Sequence, residues 1–168
     1  MKRFLLLITF LFFSVISISQ ESFSRPCELK PFSAFVIDSN EFSSIRATPL
    51  GEIILTISNL HSDGFVVHVI DFEDGWFKID AIIGVSSFEV SSLNGWIHHS
   101  LVYALNTYDL EVMESPNQKK QVGIIKGEIG DPFNILDVQC EWIKIQYKSL
   151  VGWVKSEEIC GNPVTTCP

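Results

Sequence analysis

Two tryptophan-bearing hairpins within one chain constrain the fold more than any other feature of the sequence. In the second, Cys140 to Ile159, Trp142, Lys144 and Gln146 alternate with Ile143, Ile145 and Tyr147 before a short break and Gly152-Trp153-Val154. Strict alternation, a turn and a second apolar run predict two short antiparallel strands with a tryptophan on each arm. The first hairpin opens on Asp74-Gly75-Trp76-Phe77-Lys78-Ile79 and closes on Asn94-Gly95-Trp96-Ile97. Its tryptophans stand 20 positions apart against 11 in the second, which places nine extra residues within Ala81 to Leu93.

The segments upstream match as well. Ser44-Ile45-Arg46-Ala47-Thr48-Pro49 aligns with Glu111-Val112-Met113-Glu114-Ser115-Pro116, and Pro49 precedes Trp76 by 27 positions where Pro116 precedes Trp142 by 26. Two independent spacings that agree this closely predict an internal repeat. Phe35-Val36-Ile37, Ile53 to Ile57 and Phe65 to Phe72 read as further strands, and His61-Ser62-Asp63-Gly64 reads as a hairpin turn between the last two. Thirteen Phe among many Ile, Val and Leu favour strands over helices.

A tryptophan, an alternating strand, a basic or small turn and a Gly-Trp-Val close together resemble the C-terminal half of a bacterial SH3-like (SH3b) domain. Ile45-Arg46-Ala47-Thr48-Pro49 keeps the arginine and proline of that family's opening strand and turn, and Val122-Gly123-Ile124-Ile125-Lys126-Gly127 keeps its next strand. The second copy departs at the arginine, with Met113 or Glu114 in its place. The resemblance implies an all-β chain of two small SH3-like β-barrels in tandem. They span residues 33–102, with the insertion near 81–93, and 107–160; a tail follows at 161–168, and the boundary falls near Val102 to Asn106.

The resemblance also implies a non-catalytic binding module that recognises a cell-wall peptide, a peptidoglycan component or an envelope protein. Contacts would come from aromatic side chains at a barrel groove or between the barrels: Trp76, Trp96, Trp142, Trp153, Tyr108 and Tyr147. Core packing is the competing use of the tryptophans, since burying each removes on the order of 150–250 Å² from water. On area alone the core is the expected place for all four. Gly95 and Gly152, each preceding a tryptophan, would permit a bend or bulge at a barrel corner.

The amino terminus speaks to compartment. Lys2 and Arg3 precede the apolar run Phe4 to Ile18, and Ser17-Ile18-Ser19 supplies small residues for a peptidase, so residues 1–19 read as a signal peptide cleaved before Gln20. The run is shorter than the roughly 20 residues of a spanning helix. The expectation is an exported chain, periplasmic or extracellular, with no membrane insertion after cleavage. Its formal charge of −8, or −10 without Lys2 and Arg3, and its lack of a basic run leave no footprint for nucleic acid.

Cys27, Cys140, Cys160 and Cys167 in an exported chain predict disulfides, with three possible connectivities. The turn-rich Gly161-Asn162-Pro163 favours Cys160–Cys167, leaving Cys27–Cys140. A zinc site is the alternative, but the spacings match no usual finger. Catalysis needs a nucleophile, a base and an orienting group, and the sequence offers no such set. His98 and His99, if both on a strand, face opposite ways; His61 belongs to a turn, and His68 sits alone in an apolar run. Asp71, Glu73 and Asp74, and Glu157 with Glu158, read as solvated turn acids. No catalytic residue, metal or cofactor is expected.

A second reading, from another class, is an inhibitor or immunity-type protein that binds and blocks another protein. An acidic surface would speed its encounter with a basic partner. Exposed aromatics along a groove would favour the binding module, and a flat acidic patch the inhibitor.

Overall fold

The structure, a computed structural model, describes residues 27–59, 64–85, 90–127 and 131–162. The expected signal peptide, the His61 turn, Ser86-Ser87 of the insertion and Cys167 lie outside the described residues. As the alternating apolar runs require, the chain is all-β. Its strands are β1 (Phe32–Val36), β2 (Phe42–Arg46), β3 (Ile53–Ser58), β4 (Phe65–Glu73), β5 (Trp76–Gly84) and β6 (Val90–His98), then β7 (Val102–Ala104), β8 (Leu110–Met113), β9 (Gln121–Ile125), β10 (Phe133–Gln139), β11 (Trp142–Tyr147) and β12 (Leu150–Lys155). Short 3₁₀ turns follow β6 at His99–Leu101 and β12 at Ser156–Glu158.

All twelve strands join one antiparallel sheet in the order β3-β2-β6-β5-β4-β1-β7-β10-β11-β12-β8-β9. Matching each strand of the first six with the one six later makes that order read the same from both edges. The centre of the symmetry is the β1–β7 pair, with Phe35 across from Tyr103 and Val36 across from Val102. The stretch read as a boundary, Val102 to Asn106, therefore holds a central strand, which also pairs with β10 through Ala104 and Phe133.

One expectation fails. The runs Ile53 to Ile57 and Phe65 to Phe72 do not form a hairpin with each other: β3 pairs with β2 at the sheet edge, while β4 lies between β1 and β5. An apolar run shows that a strand exists without naming its partner, and the two differ in burial. Val67 and Val69 of β4 are fully buried, whereas Ile53, Ile54 and Leu55 of β3 are exposed.

Alternation sorts the side chains of each strand onto two faces. On the inner face Ile45, Phe77, Ile79, Ile97, Val112, Phe133, Ile135, Ile143, Ile145 and Val154 join one apolar core that runs through both halves of the sheet. Phe77 meets Phe72 with ring centroids 4.8 Å apart and Phe32 edge-on at 6.2 Å. Gly95 and Gly152 lie beneath this layer. A Cβ at Gly95 would overlap Ile45, and one at Gly152 would overlap Val112, so the cause shared by both glycines is close approach. The register shifts beside Gly95, between Ile79 and Ala81, but runs regularly from Lys144 to Ile145 across Gly152, so the bulge expectation holds for the first glycine alone.

The extra residues of the first half lengthen the β5–β6 hairpin to nine-residue arms, against six in β11 and β12. Part of that length supports a second small cluster, where Val85 packs with Phe35 and Val66 and is flanked by Ile83 and Tyr103. A Cys27–Cys140 disulfide ties the segment before β1 to the β10–β11 turn, with Cα atoms 5.5 Å apart, as the sequence favoured. Cys160 carries no free thiol.

Turn geometry repeats between the halves. Leu50 and Asn117, each following the aligned proline, have φ of 58° and 61°; Asp74 and Cys140, each two residues before a tryptophan, have 46° and 59°. Three backbone hydrogen bonds recur at aligned positions. Ala47 N–H donates to Glu52 as Glu114 does to Lys120, Gly51 to Thr48 as Gln118 to Ser115, and His99 to Gly75 as Ser156 to Glu141.

Candidate functional site

The four tryptophans lie on the outer face: Trp142 and Trp153 are buried, as packing predicts, while Trp76 and Trp96 are only half-buried. None belongs to the main apolar cluster. Trp76 has Arg46 and His98 against its ring, Trp142 has Lys155 and Trp153 has Lys144. The outer placement follows from register: the positions beside them, Phe77, Ile97, Ile143 and Val154, already point inward.

Cross-strand pairing lays these residues out in rows. In the second half Met113, Trp153, Lys144 and Asp137 form one row across β8, β12, β11 and β10, while Lys155, Trp142 and Gln139 form the next. In the first half Arg46, Trp96, Lys78 and Asp71 correspond to the first row, and His98, Trp76 and Glu73 to the second. Asp71 and Asp137 each accept a hydrogen bond from the next backbone N–H, at 2.8 and 2.7 Å.

A cleft of about 280 Å³ opens beside Trp142, lined by Asp109, Glu111, Met113, Trp142, Lys155 and Glu158. Alternation along β8 puts Glu111 and Met113 on one face, with Leu110 and Val112 in the core. Lys155 stands across from Trp142 with its ammonium 6.0 Å from the ring, within cation–π range. Glu158 is fixed by accepting the Lys155 backbone N–H at 3.2 Å. Asp109 accepts from the Lys126 ammonium and the Gly127 N–H, in that order of effect, which holds its carboxyl below the ordinary range.

Three carboxylates thus stand with two ammoniums, those of Lys155 and Lys126. The indole Nε1–H of Trp142 is buried with no hydrogen-bond partner. A buried donor left unpaired costs on the order of 1–3 kcal/mol.

Tyr108 borders this cleft. Its hydroxyl is pushed to higher pKa by burial first, then by Glu158 and Glu157. Tyr147 does not join: it lies at the far end of β11, across from Leu150 and under the Lys148 ammonium at 4.7 Å. Trp153 packs instead with Lys144, 5.9 Å from its ring. Of the six aromatic candidates, Trp142 lines the cleft and Tyr108 stands beside it, while Trp76 and Trp96 belong to the first half's rows.

His98 and His99 correct another expectation. The chain leaves β6 after His98 and turns into a 3₁₀ turn, so the two rings meet, with centroids 4.6 Å apart, rather than facing opposite ways. His98 also packs edge-on against Trp76 at 5.0 Å. Burial and then the charge of His99 push the His98 pKa down. His68, expected alone, bonds Asp80 through Nδ1 at 2.7 Å. Among the described residues no group of three or more His, Cys, Asp or Glu is placed to hold a metal ion.

Sequence reasoning missed Asp109, Glu111, Met113, Lys155 and Glu158. The signal was present: Asp109, Glu111 and Met113 are spaced by two, and Lys155 follows the Gly-Trp-Val close at once. Only the β8–β12 pairing, between residues 40 positions apart, brings the two groups together.

No family model matches the chain. No curated protein matches it. Among solved structures it is similar to NlpC2 from Trichomonas vaginalis, at 11% identity over 77% of this chain and 48% of that one, with a TM-score of 0.31. It is similar also to NlpC1 from the same organism, at 11% identity over 78% of this chain and 46% of that one, again with a TM-score of 0.31. The chain spans about half the length of these two proteins, and likeness at that score decides neither fold nor function.

Proposed function

We propose that the chain is a non-catalytic, exported binding module built from two SH3-like barrels, and that the cleft beside Trp142 takes an amine-bearing segment of a wall peptide or envelope protein. The observation that carries this reading is one cleft in which Asp109, Glu111 and Glu158 stand beside the Trp142 ring and outnumber the Lys155 and Lys126 ammoniums. An ammonium group of the ligand lies between Glu111 and Glu158, where opposite charge and partial desolvation favour it. Met113 and the Trp142 ring, both in the lining, cover the apolar part of the same ligand. A few placed polar groups in a partly apolar concavity are the usual build of a ligand site.

The two-barrel reading rests on the symmetric strand order, on the matching outer rows and on the recurring turns. Export rests on residues 1–19 and accords with the Cys27–Cys140 disulfide. No helix among the described residues is long and apolar enough to cross a membrane. The cleft is concave rather than flat and has one aromatic, Trp142, in its lining, which favours the binding module, while its three acids are what the inhibitor reading expects.

The test is retention of residues 20–168, disulfides formed, on purified peptidoglycan and on extracellular-fraction protein in parallel. Retention on the wall that falls at least about tenfold with Trp142→Ala is the expected result, an anchoring aromatic being worth that much at a binding site. A single stoichiometric protein partner, with no wall retention, would instead establish the inhibitor reading.

A further inference from the structure

The two halves carry the same outer rows, but not the same chemistry. At the positions that hold Asp109, Glu111 and Glu158 in the second half, the first half has Phe42, Ser44 and Leu101; at Met113 it has Arg46, and at Lys155 it has His98. The correspondence is set by pairing, since Arg46 faces Trp96 as Met113 faces Trp153, and His98 faces Trp76 as Lys155 faces Trp142. Three negative charges and the Lys155 ammonium are gone and a guanidinium has been added, while Glu73 stands across from Trp76 where the second half has Gln139 across from Trp142. From this we infer that the surface at Arg46, Trp76 and His98 is a second ligand site, selective for a carboxylate group.

Arg46 is positioned for that task. Its guanidinium lies 5.9 Å from the Trp76 ring centre, and its Nη1 donates to the Gly51 carbonyl, so two contacts fix the plane of the group. Its other nitrogens have no hydrogen-bond partner among the described residues, and a planar fork so held matches a carboxylate in two-point fashion. Of the acids around it, Asp71 shares its row but lies beyond β6 and β5, Glu73 stands across from Trp76, and Glu52 precedes Ile53, the β3 residue across from Arg46. Asp71 is further occupied by the Phe72 N–H and stands across from Lys78.

Exposed Phe42, on the outer face of β2 with Arg46, offers apolar contact for the body of the ligand.

The inference is separable from the reading of the acidic cleft, because the two sites take opposite charges and report through different indoles. Residues 20–168 are titrated with N-acetylalanine, a carboxylate without a free amine, and separately with alanine amide, an amine without a carboxylate. The indole N–H cross-peaks, assigned by single Trp→Phe variants, are followed by two-dimensional NMR. N-acetylalanine is expected to shift the Trp76 signal and leave Trp142 in place. Arg46→Gln is expected to weaken that shift's apparent affinity by about tenfold or more, a hydrogen bond to a charged group being worth that much. Unchanged Trp142 and Trp153 signals in the free variant report an intact fold. No Trp76 shift with N-acetylalanine, or a shift that Arg46→Gln leaves unaltered, would overturn the inference, as would an equal Trp76 shift with alanine amide.

Discussion

Replacing Cys27 and Cys140 together with serine is expected to lower the unfolding free energy by about 3–5 kcal/mol. The disulfide joins residues 113 positions apart. In the chain-entropy account a closed loop of about 100 residues is worth roughly 4.7 kcal/mol at 25 °C, and loss of a native disulfide from a small secreted domain typically costs about 2–5 kcal/mol. The tether also delivers a central strand. Leu29 and Phe32, just beyond Cys27, are buried, and the Lys30 N–H donates to the Cys140 carbonyl at 3.2 Å, so β1 enters the middle of the sheet already fixed at its start. The Lys30–Glu157 ion pair beside it, 2.9 Å long and exposed, adds little. Urea unfolding of the oxidised protein and the double variant measures the difference. A loss under about 1 kcal/mol would mean that the sheet holds β1 without the tether.

Phe77→Ala is expected to cost about 3–5 kcal/mol, the range for emptying a phenylalanine site in a packed core. Phe77 is fully buried, contacts Phe72 and Phe32, and lies on β5 between β4 and β6. Neighbouring rings cannot close the space without leaving their own strand positions, so the cavity term adds to the transfer term. Leu50→Ala is the matched control. Leu50 is 83% exposed, and its removal is expected to change stability by no more than about 0.5 kcal/mol. Equal effects of the two substitutions in the same urea series would contradict the assignment of the inner face.

The strands were readable because alternation is local. Trp142 to Tyr147 announces β11 by itself, and the aligned prolines announce the turns at Leu50 and Asn117. Pairing was less readable, because it joins distant residues: β3 and β4 follow one another and look alike, yet burial sends one to the edge and the other to the centre. The tryptophans were readable only in part: Trp142 and Trp153 are buried, but on the outer face. Their size argues for burial, but which face a strand residue takes is set by the register of the whole strand, and Phe77 and Ile143 had already claimed the inside. The cleft was the least readable part. Its acids lie on β8 and after β12, and each set alone has the look of solvated surface charge. Only the β8–β12 pairing makes them one site with Trp142.

That site is tested most directly by calorimetric titration of trialanine amide, which carries an amine and backbone carbonyls but no carboxylate, into residues 20–168. One site is expected, weakened about tenfold or more by Trp142→Ala and by the Glu111→Gln/Glu158→Gln pair, and unaffected by Arg46→Gln. Absence of binding to the unsubstituted chain, or binding that survives both cleft variants, would contradict the assignment of the Trp142 cleft as the ligand site.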